Sequence, residues 1–280
     1  MLMPLIRAEV FKLMRRSMPR VLLLILIAGV ALLYFFLIVA IRSSPEGTNQ
    51  QDLAELRDSI RVENVRDSGL GLVQFMGTVV VIILGVAVIS SEYSWGTIRL
   101  ILPRAGSRAA LLTAKILLLL LFVAAVVVAG YLGALVSSFI ASTIEDVGTN
   151  LGGDVIPQTL ASLVRTGYVM LPYLALAFFV AVLTRSTAAG IAIGLSVFFV
   201  EGIVTGAIGS LPDPFDDIPK LLLSENVSAV MSANRVEGSL NQPNPDLPGP
   251  WQGAGVLAAY VAVFVALSYQ RFITRDVTTG

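Results

Sequence analysis

The chain has 280 residues, of which 56% are hydrophobic and only 14% charged, against about a quarter charged in an ordinary soluble domain. Nineteen basic and nineteen acidic residues leave no net charge, so no global basic field draws in nucleic acid, and none is expected as a partner. Cysteine and histidine are both absent, which excludes disulfides, thiol catalysis, His-dependent triads and most zinc sites.

Residues 5–18 read as a basic amphipathic helix. Ile6, Val10, Leu13 and Met14 share one face with Phe11 at its edge, while Glu9, Lys12, Arg15 and Arg16 share the other. Such a helix fits the plane of a bilayer interface, its basic side on anionic lipid headgroups, so membrane lipids are expected partners.

Crossing a hydrocarbon core of ~30 Å takes about 20 apolar residues. Six stretches qualify: about 21–41, 69–90, 116–140, 167–183, 188–209 and 253–269. The expected fold is therefore all-α and polytopic, one transmembrane domain over 1–280 with an interfacial helix before the first span. The apolar run of the first span exceeds that of a cleaved signal, and it is expected to remain.

Charge placement orients the spans. With the N-terminus inside, segments 1–20, 91–115, 184–187 and 270–280 hold twelve basic and three acidic residues, whereas 42–68, 141–166 and 210–252 hold seven basic and fifteen acidic. This positive-inside bias places both termini in the cytoplasm. On the outer side, Asp52–Arg66 could form a polar helix, and 141–166 is glycine-containing and expected to be largely irregular. The large loop 210–252 is proline-rich at both ends around an amphipathic segment, Lys220–Ala233, either at the interface or packed on the spans.

The inner segment 91–115 carries the most information. Ser94-Trp95-Gly96-Thr97 makes a bend at the membrane exit, Ile98, Leu100, Ile101 and Leu102 a short apolar stretch, and Pro103 and Gly106 its end. Ser107 is placed to cap the next helix. A short element fixed between two long helices would pass a push on it to both as rigid-body motion.

The pattern Glu92-Tyr93-x-x-Gly96-Thr97-x-Arg99, followed by Pro103, Arg108 and Lys115, resembles the coupling loop of ABC-2-type ATP-binding-cassette transporter permeases. The six-span layout, the leading amphipathic helix and the large loop before the last span are similar too. The resemblance implies a permease subunit, an exporter of the cell membrane of a bacterium, working as a dimer with a second permease copy or homologue. It also implies a separate cytoplasmic ATPase that docks on the loop, with Glu92, Tyr93, Trp95, Gly96, Thr97, Arg99, Arg104 and Arg108 in the coupling region. The chain has no phosphate-binding Gly-x-x-x-x-Gly-Lys motif, so it is expected not to be an enzyme and to hold no cofactor. ATP and magnesium would belong to the partner.

Glu201 is the one ionisable residue inside an expected span. A carboxylate at depth costs a few kcal/mol and must face a cavity or a partner. It could lie on a substrate or ion path, making the chain a self-contained secondary transporter or channel, or it could be hydrogen-bonded to another span. A membrane sensor scaffold is a further alternative. Small residues at four-residue spacing mark the third span (Ala125, Ala129, Gly133, Ser137), the fifth (Gly190, Gly194, Gly202, Gly206) and the sixth (Ala258, Ala262, Ala266), where helices can approach closely.

Overall fold

The computed structural model describes residues 2–45, 49–96, 107–147, 155–208, 219–236 and 247–274, and among these there is helix and no strand. In chain order the helices are α1 (Leu2–Arg15), α2 (Ser17–Arg42), α3 (Gln50–Ser59), a 3-10 turn (Val62–Arg66), α4 (Ser68–Ser94), α5 (Arg108–Ile144), α6 (Val155–Thr184), α7 (Thr187–Ile208), α8 (Leu223–Ser232) and α9 (Pro250–Thr274). Six of them, α2, α4, α5, α6, α7 and α9, are long and apolar enough to cross a bilayer.

Five of the six expected spans sit inside these helices, which run further at their ends, and the fifth, 188–209, matches α7 up to Ile208, the last residue described there. At 1.5 Å per residue, the 37 residues of α5 extend about 55 Å, well beyond a ~30 Å core. Hydropathy therefore marks only the lipid-crossing part. Local chemistry sets several boundaries. Arg16 is extended (φ −79°, ψ 140°) and separates α1 from α2. Ser107 accepts from the Ala110 N–H at 3.0 Å and starts α5 as expected. Gly96 ends α4 at φ +66°, a left-handed cap that only glycine adopts without strain.

The helices pack around α4 and α6. Two-thirds (67%) of the apolar window of each of these is buried, against 22% for α2, 17% for α9 and 11% for α7. α4 contacts α2, α5, α6 and α7, while α9 closes the opposite side against α6 and α8. The outer helices present Leu24, Phe35, Phe36, Ile203 and Val263 outward. This is the pattern of a bundle solvated by lipid rather than water.

The small-residue ridges divide by use. In α7, a Cβ on Gly194 would lie 2.8 Å from the Ala177 Cβ and 2.9 Å from the Ile82 Cγ2, so α7 meets α6 and α4 almost backbone to backbone. Gly202 faces open space. In α5, Ala125 is exposed, and the buried line is instead Gly130, Ala134 and Ser138. Ala258, Ala262 and Ala266 of α9 all face outward. Four-residue spacing gave the phase correctly at Gly190 and Gly194 and wrongly in α9, because apolar residues on both sides of a span erase the inside–outside contrast.

The bundle has two ends. One gathers α1, the end of α4, the start of α5 and the α6–α7 link. The other gathers α3, the 3-10 turn, the start of α6 and α8. The polar helix expected over Asp52–Arg66 is interrupted after Ser59. There the Ile60 carbonyl accepts from Ser138 at 2.7 Å and Ser142 at 3.1 Å on α5. The segment Lys220–Ala233 forms α8, with Leu223, Val227 and Val230 buried. It packs on α9, α6 and α7, the second of the two placements its sequence allowed.

Candidate functional site: the α1–α4–α5 ion cluster

Where α1 meets the last turns of α4, four charged side chains converge. Lys115 on α5 is fully buried, and Glu9 and Glu92 are 4% and 3% exposed. The Lys115 Nζ lies 2.8 Å from Glu92 Oε1 and 3.1 Å from Glu9 Oε2. It also donates to the Val88 carbonyl at 3.3 Å, which employs all three ammonium protons. Lys12 closes the group from the more exposed side, 2.6 Å from Glu9 Oε1 and 3.2 Å from Glu92 Oε1. Two carboxylates and two ammoniums make the cluster neutral, the condition for keeping charge in a low-dielectric interior.

The sequence placed Lys115 at the edge of the third span and the polar side of α1 on lipid headgroups. The second expectation needs correction. Lys115 lies two turns inside α5, because that helix begins at Arg108. α1 turns Glu9 and Lys12 inward and leaves Met3, Phe11 and Met14 exposed. A helical wheel sorts residues by polarity and cannot tell a polar face that meets water from one that meets buried ions.

Electrostatics follow from this geometry. Burial alone would raise the Glu9 carboxyl, but the Lys115 and Lys12 ammoniums outweigh it and hold Glu9 below its ordinary 4.5. Burial alone would lower Lys12, yet the hydrogen bond to Glu9 and the charges of Glu9 and Glu92 hold it above its ordinary 10.5.

The neighbouring residues extend the joint. Arg16 donates to the Ser91 Oγ at 3.0 Å, and its guanidinium lies 4.9 Å from the centroid of the Trp95 ring. The Arg185 guanidinium, in the α6–α7 link, lies 5.2 Å from the Tyr93 ring. The hydroxyls of Thr187 on α7 and Ser90 on α4 are 2.8 Å apart. The terminal turns of α4 are thus held by α1, α5 and the α6–α7 link together. Of the residues expected in the coupling region, Glu92, Tyr93, Trp95 and Gly96 lie in or beside this joint. Arg108 starts α5 and donates to the Ile273 carbonyl of α9 at 3.0 Å. Thr97, Arg99 and Arg104 lie outside the described residues.

Glu201 sits apart, near the other end. Tyr173 of α6 donates to its Oε2 at 3.1 Å, and the Leu223 N–H at the start of α8 donates to its Oε1. Thr205, one turn on, pairs with Ser224 at 2.6 Å. The carboxylate joins α7 to α6 and to α8. Sequence reasoning saw this residue and missed its partners, since neither Tyr173 nor Leu223 carries a local signal.

No group of three or more potential ligand residues suited to a metal ion occurs among the described residues. Six spanning helices, one neutral cluster of buried charge and a lone carboxylate satisfied by two neighbouring helices define an integral, polytopic α-helical membrane protein. More particularly, residues 51–278 match the family described as "Protein of unknown function (DUF2705)", and the chain belongs to that family. Glu92, Lys115 and Glu201 fall within the matched region; Glu9 and Lys12 precede it. No curated protein matches the chain.

Proposed function

We propose that this protein is the membrane permease subunit of an ATP-driven transporter, an exporter of the ABC-2 type, which works as a dimer with a separate cytoplasmic ATPase. The observation that carries the proposal is the fixed joint at the end of α4. Segment 97–106 connects α4 to α5, and the residues on either side of it are tied by ions and hydrogen bonds to α1, by Lys115 within α5, by Arg185 to the α6–α7 link and by Thr187 to α7. A displacement of that connection would move several helices together, because a packed, ion-paired joint resists local deformation. The lysine and arginine bias supports placing this end in the cytoplasm, where an ATPase could reach it. In this reading ATP chemistry belongs to the partner, and the chain itself contributes binding and motion.

The self-contained transporter reading would assign Glu201 the coupling role. Its two oxygens are engaged by Tyr173 and the α8 start, which favours a structural duty. The test is co-purification of the chain with its cognate ATPase, comparing wild type with Trp95→Ala and with a replacement of residues 97–102 by a Gly/Ser linker. Loss of complex or of substrate-stimulated ATP turnover is expected. Unaltered assembly and turnover in the linker variant would end the proposal.

A further inference from the structure

The segments expected on the outer side, 42–68, 141–166 and 210–252, hold fifteen acidic and seven basic residues in the sequence. Against that average, three of the seven basic residues, Arg66, Arg165 and Arg235, line a single cleft of about 570 Å³ together with Gln158, Ser162 and Ala161. They come from three separate places in the chain: the turn before α4, the early turns of α6, and the exit of α8.

Their hydrogen bonding fixes two arginines and leaves one nitrogen of the third without a hydrogen-bond partner among the described residues. Arg66 donates to the carbonyls of Asn234 (3.3 Å) and Arg235 (3.4 Å) and to the Gln158 side chain. Arg165 donates through one nitrogen to the Ala233 carbonyl (2.9 Å) and to the Asn234 Oδ1 (3.1 Å). These bonds hold both guanidinium groups in place and leave further N–H donors of Arg165 available, since each guanidinium has five. Arg235 has an Nη1 shielded from solvent with no hydrogen-bond partner. Among the described residues, Asp67 is the acidic group that interacts with Arg66 and Arg235, and one carboxylate against three guanidiniums leaves the described lining positive.

A buried, unpaired guanidinium N–H is costly unless a ligand supplies acceptors. Forked arginine donors match the tetrahedral oxygens of a phosphate group, which accepts from several donors at once. The volume falls within the usual range of small-molecule sites, about 300–1,000 Å³, so it takes a phosphoester and not only a bare ion. α6 also exposes Leu160 and Val164 away from the cleft, apolar residues suited to contact with acyl chains beside it.

We propose that this cleft binds a phosphate group, with Arg165 and Arg235 as its principal donors and Arg66 as the preset wall. The phosphate could be carried by a lipid headgroup or be free in solution, and the experiment separates the two. The full chain is purified in a neutral detergent and incorporated into bilayers of phosphatidylcholine with and without phosphatidylglycerol. Retained lipid is counted by native mass spectrometry, and inorganic phosphate and pyrophosphate binding is measured by calorimetry. Saturable retention of phosphatidylglycerol over phosphatidylcholine is expected for a lipid-borne phosphate; saturable binding of the inorganic anions is expected for a free one. In either case Arg165→Gln and Arg235→Gln each weaken binding about tenfold, the scale of one lost charge-assisted contact, and added salt weakens it further. Ala161→Glu, which keeps all three arginines and places a carboxylate in the cleft, weakens it comparably and guards against misfolding of the arginine variants. Wild-type protein that retains neither lipid selectively and binds neither anion overturns the proposal, as does binding that is indifferent to Ala161→Glu in a variant of unchanged circular dichroism.

Discussion

Replacing Lys115 by methionine keeps the length and the apolar stem of the side chain and removes one charge from the buried cluster. Glu92 and Glu9 would then share Lys12, whose ammonium is 3.2 Å from the first and 2.6 Å from the second. The Lys12 side chain is itself 37% exposed, so its pairing is partly screened by solvent. The Val88 carbonyl would also lose the donor it has at 3.3 Å. Breaking a buried ion pair by removing one partner costs about 3–5 kcal/mol. At roughly 2–4 °C per kcal/mol, thermal unfolding of the purified protein in detergent should fall by about 10 °C. Lys12→Met should cost distinctly less, because a solvated lysine contributes about 1 kcal/mol or less. Adding Glu9→Gln to Lys115→Met removes the excess carboxylate and should recover part of the loss. Equal shifts for Lys115→Met and Lys12→Met, or no recovery in the double variant, would refute the reasoning that burial and neutrality govern this site.

The remaining expectations concern pH, packing and the α7–α8 connection. Since Glu9 is held below 4.5 in the fold, its contribution is fully present above that pH and disappears as pH falls through the folded value; Lys12, held above 10.5, contributes fully below that pH and loses its share as pH rises through its own folded value. Melting temperature against pH should therefore be flat near neutrality with an acid limb, and Glu9→Gln should make that limb shallower; an acid limb of unchanged depth would contradict the assignment. Gly194→Ala should destabilise by about 1–3 kcal/mol through overpacking against Ala177 and Ile82, whereas Gly202→Ala, with open space around it, should stay within about 1 kcal/mol of wild type in the same melts. Glu201→Leu should leave the Leu223 N–H without its acceptor and raise hydrogen exchange over residues 221–232, corresponding to about 1–3 kcal/mol of local stability, while Glu201→Gln, which retains an acceptor oxygen, should leave exchange near the wild-type level.

How far the sequence could be read depended on which signals are local. Length, apolar runs and caps are local, so six spans, the Ser107 cap and the Gly96 bend were all legible from the order of residues alone. The side that a span buries is decided by neighbours from elsewhere in the chain. For that reason the Ala258–Ala262–Ala266 ridge, suited by composition to helix contact, lies exposed on α9. The charged residues make the same point more sharply. Glu201 stood out because an isolated carboxylate inside an apolar run has no innocent local explanation. Lys115 did not, because seven residues of helix precede it and hydropathy placed the boundary just after it. Yet Lys115 is the more deeply buried of the two, at 0% exposure, and its burial is possible only because Glu9, from a helix more than a hundred residues earlier, lies 3.1 Å away.

That distance in sequence explains why the cluster is the stronger candidate for a moving part. A single acid satisfied by a tyrosine and one backbone N–H, as at Glu201, holds three helices at one point. Four charges on α1, α4 and α5 hold three helices at several points and share their partners: the Lys115 ammonium bridges both carboxylates, and Lys12 reaches both as well. Shifting any one of the helices by an ångström or two would lengthen more than one of these contacts at once, and at low dielectric the cost of separation rises steeply. Such a joint yields as a unit or not at all. A displacement arriving at the α4–α5 connection would therefore be carried by α1, α4 and α5 moving together, and not be absorbed in the side chains. Under the proposed ATP-driven function, disulfide trapping of α1 against α5 checks this: a cross-linked pair introduced beside the cluster should preserve the ATP turnover of the complex if the three helices travel as one body, and abolish it if α1 slides past α5.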